Sequence, residues 1–180
     1  MGRLAWRVFF ATVLLGLLTV VLGGLYRKFD ADWLLSAAIT FGTTFYHFAM
    51  RLAVGAAVPI PKSPHAPWFR PRPFEQGLYR ALRVKRWKGR MPTFLPEHFS
   101  LSRAGAAGVL RNSCKSEIVH EVIMVLSFVP VLAIPELGAA GVFWITSALS
   151  ALFDSCFVVI QRYNRPRLLR LAQKEASRYE

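Results

Sequence analysis

The chain has 180 residues, enough for one domain, and 54% of them are hydrophobic. That apolar share, with a mean hydropathy of +0.35, excludes an ordinary soluble globular domain. A net charge of +13 fits nucleic acid, anionic lipid or an anionic substrate as partner, and the apolar runs select the membrane and argue against nucleic acid.

The first apolar run covers residues 6–25, about the 20 residues a helix needs to cross a bilayer. It is longer than a signal-peptide core, and no small-residue cleavage site precedes Tyr26-Arg27-Lys28, so a retained helix is expected. Residues 33–57 form the second span. Residues 118–137, with Pro130 inside, form the third, and residues 138–160 the fourth. The Ile134-Pro135-Glu136-Leu137-Gly138 turn predicts a tight helical hairpin between the last two. The fold class expected is therefore all-α: an integral membrane four-helix bundle, one domain over residues 1–180.

Residues 58–117 carry a proline-rich start, from Pro59 to Pro73, which favours extended chain. Phe74, Leu78 and Leu82 then recur at four-residue spacing among basic residues, the pattern of a short amphipathic helix on a membrane surface. Trp68, Phe69, Tyr79 and Trp87 suit the headgroup level. From Lys62 to Lys115 there are 12 Lys or Arg against Glu75 and Glu97, and from Arg162 onward six against two. The positive-inside bias makes this amphipathic, irregular segment and the tail at 161–180 cytoplasmic. Four spans then put both termini on the cytoplasmic side of a cell membrane.

Polar residues inside apolar spans are costly and so are functional candidates. Span two carries Thr40, Thr43, Thr44, His47 and Arg51 on one helical face. Span three opens with Glu117, His120 and Glu121, and span four carries Ser147, Ser150, Asp154 and Gln161. Topology brings these stripes and the segment Gln161-Arg162-Tyr163-Asn164-Arg165-Pro166-Arg167-Leu168-Leu169-Arg170 toward the cytoplasmic half of the bilayer. Structural readings compete with functional ones. Glu117 and Arg165 can be an ion pair, His47 and Arg51 a packing pair, and Asp154 a hydrogen-bond link between helices. For His120, flanked by two carboxylates, a general base is the better reading, because an adjacent acid fixes the tautomer and raises basicity. Glu117-x-x-His120 has di-metal spacing but no second copy, so no metal is expected. Cys114 and Cys156 form no motif, and Ser113 and Ser116 lack a nucleophile elbow.

These residues resemble the glycosyl-diaponeurosporenoate acyltransferases of bacterial carotenoid biosynthesis. The resemblance is strongest at Val159-Ile160-Gln161-Arg162-Tyr163-Asn164-Arg165-Pro166-Arg167-Leu168. It continues at Lys115-Ser116-Glu117-Ile118-Val119-His120, at Phe74-Glu75 with Gly77, and at Val84-Lys85-Arg86-Trp87-Lys88. Asp154 and Glu121 depart from the family pattern, which bears on substrate identity rather than reaction type. The resemblance implies transfer of a fatty acyl group to a sugar hydroxyl of a lipid or carotenoid glycoside. His120 would be the base, with Glu117 and Glu121 as its catalytic neighbours. Gln161, Arg162, Asn164, Arg165 and Arg167, with Glu75, Lys85 and Lys88, would bind substrate; His47, Arg51 and Asp154 are further substrate-binding candidates that the polar stripes, not the resemblance, put forward. No resident cofactor is implied. The expected partners are membrane lipids, an amphiphilic acyl donor such as acyl-CoA, whose phosphates suit arginine forks, and a glycosylated acceptor. Another small membrane transferase, such as a methyltransferase, and a non-catalytic lipid-binding scaffold remain open.

Overall fold

A computed structural model describes residues 3–178. Among them the regular structure is all-α, with no strand. Three helical stretches are long and apolar enough to cross a membrane: Leu4–Phe29, Leu101–Leu137 and Ala140–Ala176. The expected second span is also a helix, over Asp32–Ala57, but it is not among the three. Its 26 residues give ample length at about 1.5 Å each. Its threonines, His47 and Arg51 make it less apolar.

The chain divides into two compact units, with boundaries inside two long helices. One unit holds residues 3–57 and 122–154. Here α1 (Arg3–Phe29) packs antiparallel on α2 (Asp32–Ala57). Asp30 turns the chain between them at φ 49°, a left-handed conformation that Asp tolerates better than most residues. Two glycines let the helices approach. A Cβ on Gly16 would stand 3.0 Å from the Phe45 ring, and one on Gly42 would stand 3.1 Å from Thr19. Small residues at such contacts favour close packing of apolar helices. The lipid-compatible side of α1 stays uncovered, with Val20 74% exposed.

The threonine stripe of α2 does not present free hydroxyls. Thr40, Thr43 and Thr44 each donate to the carbonyl four residues back, at 2.9, 2.7 and 2.8 Å. Their polarity is satisfied within their own helix.

The third expected span is broken as Pro130 suggests. Helix α5 (Leu101–Leu126) is followed by a 3₁₀ turn, Val129–Ala133, and a single turn, α6 (Ile134–Leu137). Gly138 and Ala139, both at positive φ, complete the hairpin into α7 (Ala140–Ala176).

The other unit holds residues 58–121 and 155–178 of the described chain. A 3₁₀ turn at Pro67–Phe69 precedes α3 (Glu75–Ala81) and α4 (Val84–Trp87). Phe74, Leu78 and Leu82 form the expected apolar strip and all three are exposed. Phe69 departs from its expected interfacial place and is buried. Two boundaries also differ from expectation. Helix α5 begins at Leu101, well inside the segment expected to be irregular. Gly105, at φ 64° and ψ 170°, a conformation nearly confined to glycine, bends its start, so the regular helix runs from Ala106. Helix α7 does not stop at residue 160 but carries the Gln161–Arg170 motif and Pro166 within it.

Candidate active site

Offsets of three and four put Glu117, His120 and Glu121 on one face of α5. The same rule groups Gln161, Arg162 and Arg165 on α7, and Asn164 with Arg167. Because α7 remains helical past residue 160, these motif residues have fixed spacing.

Glu117 is fully buried and Arg165 is 2% exposed. Arg165 Nη2 pairs with Glu117 Oε2, while Glu117 Oε1 takes Arg162 Nη1 at 2.6 Å. Arg162 also donates through Nε to Glu75 Oε1 at 2.7 Å. Its remaining contacts are the carbonyls of Trp68 (3.4 Å) and Arg70 (3.1 Å). Arg165 Nη1 donates to the Phe69 carbonyl at 3.2 Å, and its guanidinium lies 4.9 Å from the Phe69 ring centroid. Two carboxylates and two guanidinium groups thus form one charge-balanced network. It fastens the 68–70 loop and α3 to α5 and α7. Buried charges of this kind persist only when paired and hydrogen-bonded.

Tyr79 extends the network by donating to Glu75 Oε2 at 2.9 Å. Burial, and next its hydrogen bond to Glu75, push the Tyr79 phenol above its ordinary 10.0. Glu121 turns to the Trp68 indole N–H at 2.9 Å. Gln161 accepts from Ser113 at 2.8 Å and donates to Ser116 at 3.2 Å, joining α5 to α7. The His120 imidazole stacks flat on Phe157, with centroids 4.4 Å apart and planes within 8°. That contact fixes the plane of the ring.

A second group of these residues has a different character. Lys88 Nζ donates to Asn164 Oδ1 at 2.7 Å and lies 4.5 Å from the Tyr163 ring centroid. Tyr163 packs edge-on against Tyr79. Burial, then Arg167, then Lys85, lower the pKa of the Lys88 ammonium. Lys85 and Arg167 are exposed. Among the described residues, none of these three cations pairs with a carboxylate.

His47, Arg51 and Asp154 belong to the unit built from residues 3–57 and 122–154. Arg51 pairs with Asp154, donates to Ser150 Oγ at 2.8 Å and to the His47 carbonyl at 2.9 Å. Ser150 in turn meets Ser127 at 2.8 Å. Both ring nitrogens of His47, 6% exposed, and the buried Ser147 hydroxyl have no hydrogen-bond partner among the described residues.

Sequence reasoning missed the backbone carbonyls of residues 68–70, the Phe157 platform and the Tyr163 ring under Lys88. Carbonyls carry no side-chain signal. The two rings had one: Phe157 lies four residues before Gln161, on the same face of a helix, and Tyr163 stands inside the Gln161–Arg170 motif itself.

A family model for glycosyl-4,4'-diaponeurosporenoate acyltransferase matches residues 65–174. No curated protein and no solved structure matches the chain. The matched region spans more than half of the 180 residues and contains every member of the Glu75–Glu117–Arg162–Arg165 network. The chain therefore belongs to the glycosyl-4,4'-diaponeurosporenoate acyltransferase family and is an acyltransferase.

Proposed function

We propose that this acyltransferase moves a fatty acyl group onto a sugar hydroxyl of a lipid or carotenoid glycoside, with His120 as general base. The observation that carries this reading is the coincidence of the family match with the ordered cluster around Glu117, His120 and Arg162. His120 takes the proton of the acceptor hydroxyl as its oxygen attacks the acyl carbonyl carbon. The bond from that carbon to the leaving group breaks, and His120 returns the proton to the leaving group. With an acyl-CoA donor the bond broken is the thioester C–S bond, and no resident cofactor is needed.

Glu117 supports this reading as a positioning residue. Both of its oxygens face arginines, so its part is to hold α5 against α7 rather than to move protons. Arg51 and Asp154 are assigned a packing role within their own unit. The protein works as a single membrane domain. Helices α1, α2, α5 and α7 cross the bilayer, and the basic segment and both termini lie on the cytoplasmic side, as the Lys/Arg distribution supports. Both substrates are amphiphiles held in that leaflet.

The test is quantification of acylated glycolipid made by membranes containing equal amounts of each protein. His120→Ala lowers the transfer rate by about 10²-fold or more, and His120→Gln fails to restore it. Transfer at the wild-type rate by His120→Ala sinks the base assignment.

A further inference from the structure

The cations that look best suited to a phosphate, Arg162 and Arg165, are already neutralised by Glu75 and Glu117. Their donors are largely occupied as well: Arg162 uses Nε and both Nη atoms, and Arg165 both Nη atoms. A ligand anion there would have to displace a buried carboxylate, a substitution that leaves an unpaired charge in a dry site. The charge that remains unbalanced lies beside Asn164 and Arg167 of α7.

Lys88 reaches across to α7 and gives one proton to Asn164 Oδ1. That contact settles which end of the Asn164 amide faces the ammonium, because an ammonium only donates. The NH₂ end, with two donors, therefore faces elsewhere. Arg167 sits three residues after Asn164 on the same face of α7, and Lys85 three residues before Lys88. The Tyr163 ring lies beside the ammonium, 4.5 Å away. Lys88 is half-buried, Arg167 and Lys85 are exposed, and no carboxylate offsets any of them among the described residues. The result is a semi-buried point charge held by the Asn164 carbonyl oxygen, with a guanidinium and a second ammonium that are exposed and raise the local positive charge. The mutual repulsion that helps lower the pKa of Lys88 is relieved by a bound anion.

We infer that Lys88, Arg167, Lys85 and the Asn164 amide form the subsite that binds the phosphate group of the acyl donor. This rests on the acyl-transfer reading above for the word donor, but not for the anion site itself. The ligand chemistry is a phosphate ester carried on an amphiphile, either a coenzyme A thioester or a phospholipid headgroup.

Titration of palmitoyl-coenzyme A into the full chain held in phosphatidylcholine nanodiscs tests it. Lys88→Gln with Arg167→Gln weakens binding by about tenfold or more, the loss expected for charge-assisted contacts. Arg72→Gln with Arg80→Gln removes the same charge from exposed positions elsewhere and leaves binding within about twofold. Asn164→Asp, which would neutralise Lys88 in place, also weakens it. Equal losses in the two double variants, or none in either, overturn the subsite. Adding phosphatidylglycerol to the discs distinguishes the sources: competition seen with the wild type and lost in Lys88→Gln/Arg167→Gln assigns the site to a headgroup, and its absence assigns it to the soluble donor. A wild-type protein that binds palmitoyl-coenzyme A through these residues yet forms no acylated glycolipid would overturn the transfer reading alone. Transfer with a donor KM unaffected by the double substitution overturns the subsite alone.

Discussion

The two polar clusters of this protein solve the problem of a buried arginine differently. Arg51 in α2 has a single carboxylate, Asp154, supplemented by a serine and a carbonyl, and its side chain keeps 25% exposure. Arg165 in α7 is 2% exposed and shares Glu117 with Arg162, which is shared in turn with Glu75. The first is a pair with an outlet; the second is a chain of four alternating charges, Glu75–Arg162–Glu117–Arg165. A long arginine with an outlet can lead its charge toward a polar boundary, whereas one buried as deeply as Arg165 cannot. The network also ties four chain segments together, so its loss should spread further.

That contrast breaks most visibly at Glu117. Glu117→Gln leaves Arg165 buried without its anion and should cost about 3–5 kcal/mol, read as a lower thermal transition in detergent or as aggregation. Replacing Glu117 and Arg165 together by Leu should recover part of that loss. Asp154→Asn should cost only about 1–2 kcal/mol by the same measurement, because Arg51 keeps its outlet. A loss as large as that of Glu117→Gln would erase the distinction between the clusters. Tyr79→Phe removes one hydrogen bond at the edge of the network and should cost about 0.5–1.5 kcal/mol. The Tyr79 phenol has its pKa raised by folding, so its contribution is whole below the ordinary value of 10.0 and falls as pH rises above it. A pH-stability curve of wild type against Tyr79→Phe should converge on the alkaline side. Smallest is His47→Leu: with neither ring nitrogen bonded among the described residues, an apolar side chain should be neutral to slightly stabilising, within about 1 kcal/mol. If transfer collapses in that variant while the fold stands, His47 is a substrate contact rather than a packing residue.

The Lys88 site adds a sharper pH signature. Because burial, Arg167 and Lys85 lower its pKa, Lys88 loses its charge at a lower pH than an ordinary lysine. Donor binding should weaken as pH rises through that lowered value, while Lys88→Arg should carry the affinity to higher pH.

Much of this was legible in the residues. The span at α1, the helix at α2, the Pro135 hairpin and the Glu117–Arg165 pair follow from hydropathy, turn chemistry and charge. The long reach of α5 and α7 did not. The Ala104–Gly108 stretch has loop-like glycines, of which Gly105 bends the chain and Gly108 simply sits in the helix. Gln161–Arg170 reads as a polar exit because nothing local says that Glu75 and Glu117 wait to pair with it. Helix continuation there is decided by tertiary partners, and tertiary partners decide Pro166 as well. A proline has no N–H for the carbonyl of Arg162, yet the side chains on either side of that gap are held from outside the helix. The threonines of α2 were misleading for the opposite reason: their hydroxyls find partners four residues away and need no other helix.

One contact bears on how the protein is made. Gly105 breaks the helical path, and the N–H of Ala106 is met at 2.8 Å by a carboxylate oxygen of Glu175, 69 residues later in the chain. Negative charge at a helix start is stabilising, and here it arrives from far downstream. While the ribosome is still adding α7, the first turn of the helix from Ala106 has no such anchor, and Glu117 has neither of its arginines. The N-terminal part of α5 therefore lacks these partners through most of synthesis and gains them only after residue 175 has emerged. Chains stalled or cut before that point should be the ones that membrane quality-control proteases remove first.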